Sequence, residues 1–477
     1  MDTPAPGIEG NGGRGAAAHE LARYEALFAH RTQGMRSSAM RDMMALTGRT
    51  DVISLAGGLP DTTTFPPGLF SELMDGVAQE SARALQYGPT EGMQAAVACI
   101  EEVMAAEGTA VDGEEILVTT GGQQVIDLVC KALIDPGDVI VAEAPTYPGA
   151  VPTFSAYEAR VVQIEIDGDG MPVERLRSTL DELAAEGCRP KFIYTIPNFQ
   201  NPGGETLPLE RRAALVELAR ERELLVLEDN PYGLLRYSGD ALPTLYSLDA
   251  KYGSPGMVVY LGTFSKILAP GLRLGWAVAP APVLAKLNLG KQGADLCSPS
   301  VTQLFVARYF AQRAADGTPL WQRYLSELRG LYRARRDAMH EALGEHFGAD
   351  ARWTRPDGGL FLWLTLDERI DTTDLLALAR EKRGVAFVPG RAAYADERRG
   401  ASSMRLNFAG LPEPQIREGV RRIGDAVAEQ LGLLESLSGR RGGGRQAPGP
   451  ARRPLAEVLR LPRRRPDDSA GRRSGER

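Results

Sequence analysis

Glu115-Ile116-Leu117-Val118-Thr119-Thr120-Gly121-Gly122-Gln123 runs from a short apolar stretch through a glycine pair into an amphipathic pattern over 123–134. Asp135-Pro136-Gly137-Asp138 closes that pattern, and Val139-Ile140-Val141-Ala142 opens the next apolar run. Strand, helix and strand in this order, joined by turn residues, form the repeating unit of a parallel sheet covered by helices. The unit recurs outward from here. Residues 94–106 and 211–222 read as helices, and 160–166, 191–196, 224–227, 257–261 and 274–279 as further strands, which makes seven with 115–119 and 139–142. These runs lack polar alternation, as expected of strands buried on both faces. The fold class is therefore α/β, with a mostly parallel seven-stranded sheet. After Ser300 the texture changes to long amphipathic helices over 319–345 and 413–433, around strands at 360–366, 385–388 and 404–408, which predicts a smaller α+β domain.

Composition agrees with a globular chain. Of 477 residues, 43% are hydrophobic and 25% charged, which excludes collagen-like and wholly disordered classes. Four scattered cysteines (Cys99, Cys130, Cys188, Cys297) without a CxxC pair argue against a disulfide framework or structural zinc, so no metal site is expected. No apolar run is long enough to span a bilayer and the first residues lack a signal-peptide pattern, so the expectation is a cytoplasmic protein. The net charge of -7 hides an asymmetry. Residues 440–477 hold twelve Arg and four acids, and the -15 that remains belongs to 1–439. The expected organisation is a disordered extension over 1–18, an arm over 19–60, a large domain over 61–300, a small domain over 301–435 and a disordered basic tail over 440–477, with a short helix possible at 455–461.

In open α/β sheets ligands bind beyond the carboxyl ends of the strands. Four such positions carry chemistry. The turn 119–124 offers glycines and a helix N-terminus, which suit a phosphate, although a Gly-Gly turn is also ordinary structure. Asn201-Pro202-Gly203-Gly204 follows the strand at 191–196 and in isolation is only a turn. Asp229, at the end of 224–227, is a carboxylate at a buried strand end and requires a cation or donor. Gly262-Thr263-Phe264-Ser265-Lys266 places one of only seven lysines among apolar neighbours, with Arg273 close behind. A buried Lys is a nucleophilic amine able to form Schiff bases, while a Lys that snorkels to solvent has no such role.

A Schiff-base Lys, a buried Asp, a glycine turn and an Arg together suit pyridoxal phosphate. Here the residues meet a resemblance. Ser54-Leu55-Ala56-Gly57-Gly58-Leu59-Pro60, Tyr87-Gly88-Pro89-Thr90-Glu91-Gly92, Pro145-Thr146-Tyr147, Asn201-Pro202-Gly203-Gly204, Asp229-Asn230-Pro231-Tyr232 and Gly262-Thr263-Phe264-Ser265-Lys266 stand in order over about 36–431. In this the chain resembles the class I/II aminotransferases of fold type I, most closely the 2-aminoadipate and kynurenine aminotransferase II group. The resemblance implies that Lys266 holds the cofactor and moves the substrate proton, and that Asp229 keeps the pyridine nitrogen protonated. It implies that Asn201 and Tyr232 bond the ring oxygen and Tyr147 stacks on the ring. Gly122, Gln123, Thr263, Ser265 and Arg273 would bind phosphate, joined by Tyr87 from the second subunit of a homodimer. Arg405 and Gly58, with Asn201, would meet the substrate carboxylate, although an Arg on a strand is by itself unremarkable.

Two departures bear on this reading. Thr263 and Gly122 stand where the family often has Ser, and Gly34 stands about where aminoadipate enzymes carry an Arg for the distal carboxylate. The latter shifts the expected substrate from acidic toward aromatic or aliphatic. The expected activity is ping-pong transfer of an amino group from an L-amino acid, aromatic, aliphatic or 2-aminoadipate-like, to a 2-oxo acid such as 2-oxoglutarate. Two alternatives share the constellation. One is elimination, cyclisation or oxidation on the same cofactor. The other is an aminotransferase-like transcription regulator, for which the Gly- and Ala-rich residues before Ser54 leave too little chain for a DNA-binding domain.

Overall fold

The computed structural model describes residues 24, 27–35, 51–254, 256–348 and 351–442. The expected extension over 1–18 and the short helix at 455–461 lie outside them, as does the basic tail from 443 onward. The seven strands expected from the apolar runs form one sheet. In chain order they are β2 (Ile116–Thr119), β3 (Val139–Ala144), β4 (Arg160–Glu165), β5 (Phe192–Thr195), β6 (Leu225–Asp229), β7 (Val258–Thr263) and β8 (Gly275–Val278), following a two-residue β1 (Ile53–Ser54). Their spatial order is β2-β8-β7-β6-β5-β3-β4. Pairing is parallel except around β8, which runs against both β7 and β2.

Side-chain alternation divides the core into two faces. Val139, Val141, Ile193 and Val226 pack with Leu176, Leu180 and Leu215 from the helices Val173–Ala185 and Leu209–Glu221. Ile140, Ala142, Tyr194 and Leu227 join the opposite cluster, which continues to Leu362, Leu406 and Ile423. Every residue of β3 and β7 is buried, whereas the edge strand β4 is mostly part-exposed; β2, at the other edge, is buried throughout.

The later residues form a four-stranded antiparallel sheet, order β12-β13-β10-β9, from β9 (Arg352–Trp353), β10 (Phe361–Thr365), β12 (Val388–Pro389) and β13 (Ser403–Asn407). The single strand expected at 385–388 is two. β11 (Val385–Ala386) pairs with β1, Phe387 is fully buried between the two strands, and β12 pairs with β13. The chain thus changes sheets within four apolar residues, which a run of hydrophobicity does not reveal. The helix expected over 413–433 is Glu413–Gly442, so 440–442 are helical. Among the described residues, those up to Leu431 cluster as one compact unit and 432–442 belong to another. Among the described residues no helix is long and apolar enough to cross a membrane.

Candidate active site

Parallel strands deliver their carboxyl ends to one edge, and reversed β8 delivers its amino end, so Arg273 arrives beside Thr119 and Thr263. Gly275 is in register with both of those residues. A cavity of about 250 Å³ at this edge is lined by Gly58, Gly122, Gln123, Tyr147, Asn201, Asp229, Tyr232, Thr263, Ser265, Lys266, Arg273 and Arg405. Every expected site residue is therefore brought together except Tyr87, which is 78% exposed and outside the cavity.

The groups follow strand order along the edge. After β2, the helix Gly122–Leu133 is capped by Gly121 at φ 83°, a conformation that L side chains rarely adopt, and a Cβ there would strike the Arg273 guanidinium. Gly122 and Gln123 are the first two residues of that helix, where backbone N–H groups have no intrahelical partner. The Gln123 side chain is committed elsewhere, donating to Thr153 Oγ1 at 2.8 Å and Gly149 O at 3.2 Å. After β7, Thr263 Oγ1 lies 2.9 Å from Ser265 Oγ and 3.1 Å from Leu274 O. Arg273 is left-handed at φ 49°, a conformation costing about 1–3 kcal/mol in a residue with a side chain and one that collects at functional sites. Its Nη2 donates to Thr120 O at 3.4 Å.

Asp229 ends β6, 5% exposed, and accepts a hydrogen bond from Tyr194 at 2.6 Å. Burial raises its carboxyl to about 6, against the opposing effects of the Tyr194 bond and the Lys266 charge. The Lys266 amine donates to Gly58 O at 2.7 Å. Desolvation first, then the charges of Arg405 and Arg273, lower it from 10.5 to about 8, and Asp229 opposes them. Arg405 lies on β13, wholly buried, stacked over the Phe361 ring at 4.2 Å. It donates to Asn201 Oδ1 and to Ala56 O, each at 2.9 Å, and burial lowers it to about 10. Asn201 Nδ2 is 3.4 Å from the Tyr232 hydroxyl, and burial raises the Tyr147 and Tyr232 phenols.

The chemistry of this donor set fits pyridoxal phosphate. Anion-binding groups gather at β2, β8 and β7, an amine follows β7, and a buried carboxylate in need of a cationic partner ends β6. Sequence reasoning missed Tyr194, which holds Asp229 from β5, and Phe361, beneath Arg405. It also missed the brace behind the glycine turn, where Asp295 accepts from Thr120 Oγ1 at 2.6 Å, Gln124 Nε2 at 2.8 Å and the buried Lys291 at 2.7 Å. A phenol hydroxyl on a buried strand, which asks for a partner, was the available signal for Tyr194.

Comparison with known proteins agrees with this chemistry. Residues 50–423 match the family described as Aminotransferase class I and II. The chain is 42% identical over 410 residues to Aromatic-amino-acid aminotransferase 1 of Thermococcus litoralis, covering 86% of this chain and 95% of that one. The crystal structure of Pyrococcus horikoshii kynurenine aminotransferase superposes with a TM-score of 0.79 at 40% identity, covering 86% and 99% of the two chains. LysN, the alpha-aminoadipate aminotransferase of Thermus thermophilus, complexed with N-(5'-phosphopyridoxyl)-L-leucine, gives 0.78 at 36% identity with the same coverage.

Proposed function

The chain belongs to the class I and II aminotransferases, a transaminase of fold type I that uses pyridoxal phosphate, and from this premise we propose how its residues divide the work and which substrate they favour. The cofactor, when bound, supplies an aldehyde to carry the amino group and a ring that withdraws electrons. Lys266 Nζ would hold that aldehyde and then, once released, would carry the proton from the substrate's alpha carbon. Its low proton affinity keeps a large fraction neutral near pH 8. Asp229 would hold a proton on the ring nitrogen, Asn201 and Tyr232 would bond the ring oxygen, and Tyr147 would lie against the ring. Gly122 and Gln123 donate backbone N–H groups to the phosphate, with Thr263, Ser265 and Arg273 beside them. Arg405, with Asn201 and Gly58, grips the substrate carboxylate. The buried Arg405 is a planar two-pronged donor, so it orients an amino acid rather than merely attracting it. The observation that carries this reading is the convergence of Lys266, Asp229 and Arg405 on one cavity.

The preferred donor is an aromatic L-amino acid, with a 2-oxo acid such as 2-oxoglutarate as acceptor. Relatives named for aromatic amino acids and kynurenine support this. The relatives' activities favour transfer over elimination, cyclisation, oxidation or regulation. The enzyme works as a homodimer. Leu85, Tyr87 and Phe70 are large apolar side chains 84%, 78% and 49% exposed, which supports burial against a second copy whose site Tyr87 would complete. Four cysteines without a disulfide support a cytoplasmic setting. Measuring kcat/KM with phenylalanine, tyrosine, leucine and 2-aminoadipate tests the substrate reading. Aromatic donors lead by about tenfold or more if no cation meets the side chain, and a lead for 2-aminoadipate contradicts it.

A further inference from the structure

Behind the site, on the face of the sheet turned away from the cavity, lies a carboxylate that the chemistry above does not use. Glu143 of β3 is 2% exposed. In β5, Tyr194 turns to Asp229 on the cavity side, while Thr195, the next residue and so on the other side, donates to Glu143 Oε1 at 2.5 Å. Glu143 Oε2 accepts from Ile196 N at 3.2 Å and from Gln200 Nε2 at 3.0 Å. Gln200 Nε2 also donates to Pro145 O at 2.8 Å, and Gln200 Oε1 accepts from Gly203 N at 2.7 Å.

Glu143 and Gln200 therefore tie together two loops that leave neighbouring strands. Pro145 is two residues before Tyr147, and Gln200 is adjacent to Asn201. All three groups facing Glu143 are donors, a pattern that only an acceptor satisfies fully. Gln200 lies 1% exposed with both ends of its amide bonded, so its side chain has one position available.

We propose that Glu143 and Gln200 are positioning residues, which act through the loops at 145–147 and 196–203 to fix the spacing and tilt of Tyr147 and Asn201 around the cofactor ring. This rests on the reading of Tyr147 and Asn201 as cofactor contacts.

Gln200→Met keeps the volume and removes all three side-chain bonds, and Glu143→Gln turns one of the two acceptor oxygens into a donor that faces donors. Each variant is prepared free of cofactor, checked for fold by far-ultraviolet circular dichroism, and titrated with pyridoxal phosphate, with Asn201→Ala as control. The expected result is a native far-ultraviolet spectrum, a cofactor Kd raised about tenfold or more, and a weakened visible circular-dichroism band of the bound cofactor. The double variant is expected to be little worse than either single one, because both break the same tie. If Asn201→Ala changes Kd or the visible band while Gln200→Met leaves both within about twofold, the positioning role is overturned and the contact reading stands. If Asn201→Ala leaves both unchanged, the contact reading fails and the inference with it. Loss of fold in both Gln200→Met and Glu143→Gln makes the tie a stability element and equally overturns the proposal.

Discussion

Replacing Asp229 by Asn should weaken the enzyme and strengthen the protein. In the folded, cofactor-free chain, burial raises this carboxyl from 3.8 to about 6. The folded value lies above the unfolded one, so folding favours the protonated form. That advantage is complete below about pH 3.8 and is lost as pH rises through about 6. At about 1.4 kcal/mol per unit, ionised Asp229 costs the cofactor-free protein about 3 kcal/mol at pH 8 and under about 1 kcal/mol at pH 4. Asn is neutral throughout and still accepts from Tyr194, so urea unfolding of cofactor-free Asp229→Asn should show a gain of that size at pH 8 that shrinks toward pH 4. Turnover should move the other way. A carboxylate facing a cation shifts its proton affinity by about 1–3 units, so losing it should cost about ten- to a thousandfold in kcat of the amino-donor half-reaction. A variant with wild-type kcat would refute the electrostatic role. A loss of stability equal at pH 4 and pH 8 would show instead that Asp229 is held for structure.

Two further predictions follow the same electrostatics. Because the Lys266 amine is lowered to about 8, capture of pyridoxal phosphate by the cofactor-free enzyme in stopped-flow absorbance should accelerate as pH rises through about 8 and then level off; a rate flat from pH 7 to 9 contradicts this. Arg405→Gln should raise KM for amino acids by about tenfold to a thousandfold while leaving reaction with amines that lack an alpha-carboxylate within about threefold; an equal loss for both substrate types would assign Arg405 to the scaffold.

The sheet was legible because its strands are buried on both faces. Ile116, Val139, Phe192 and Val258 head apolar runs too short for helices, and the residues just past those runs line the cavity. What the sequence did not disclose depends on which strands become neighbours. Tyr194 reaches Asp229 only because β5 lies beside β6, and Arg273 reaches the glycine turn only because β8 is reversed and inserted between β2 and β7. Gln123 was recognised as a site residue, but its side chain is bonded to Thr153, a partner from another helix that spacing cannot reveal. The run 385–388 looked like one strand because burial alone does not report a change of sheet at Phe387. Tyr87 lies outside the cavity of its own chain.

The most direct test follows a single turnover. Enzyme loaded with cofactor is given one aromatic L-amino acid and no acceptor, and the 2-oxo acid and ammonia formed are counted against the number of sites, for the wild type and for Lys266→Ala. Amino transfer predicts one 2-oxo acid per site with no free ammonia in the wild type, and neither product from the variant. Ammonia in excess of sites, or an undiminished yield from Lys266→Ala, would contradict the assignment.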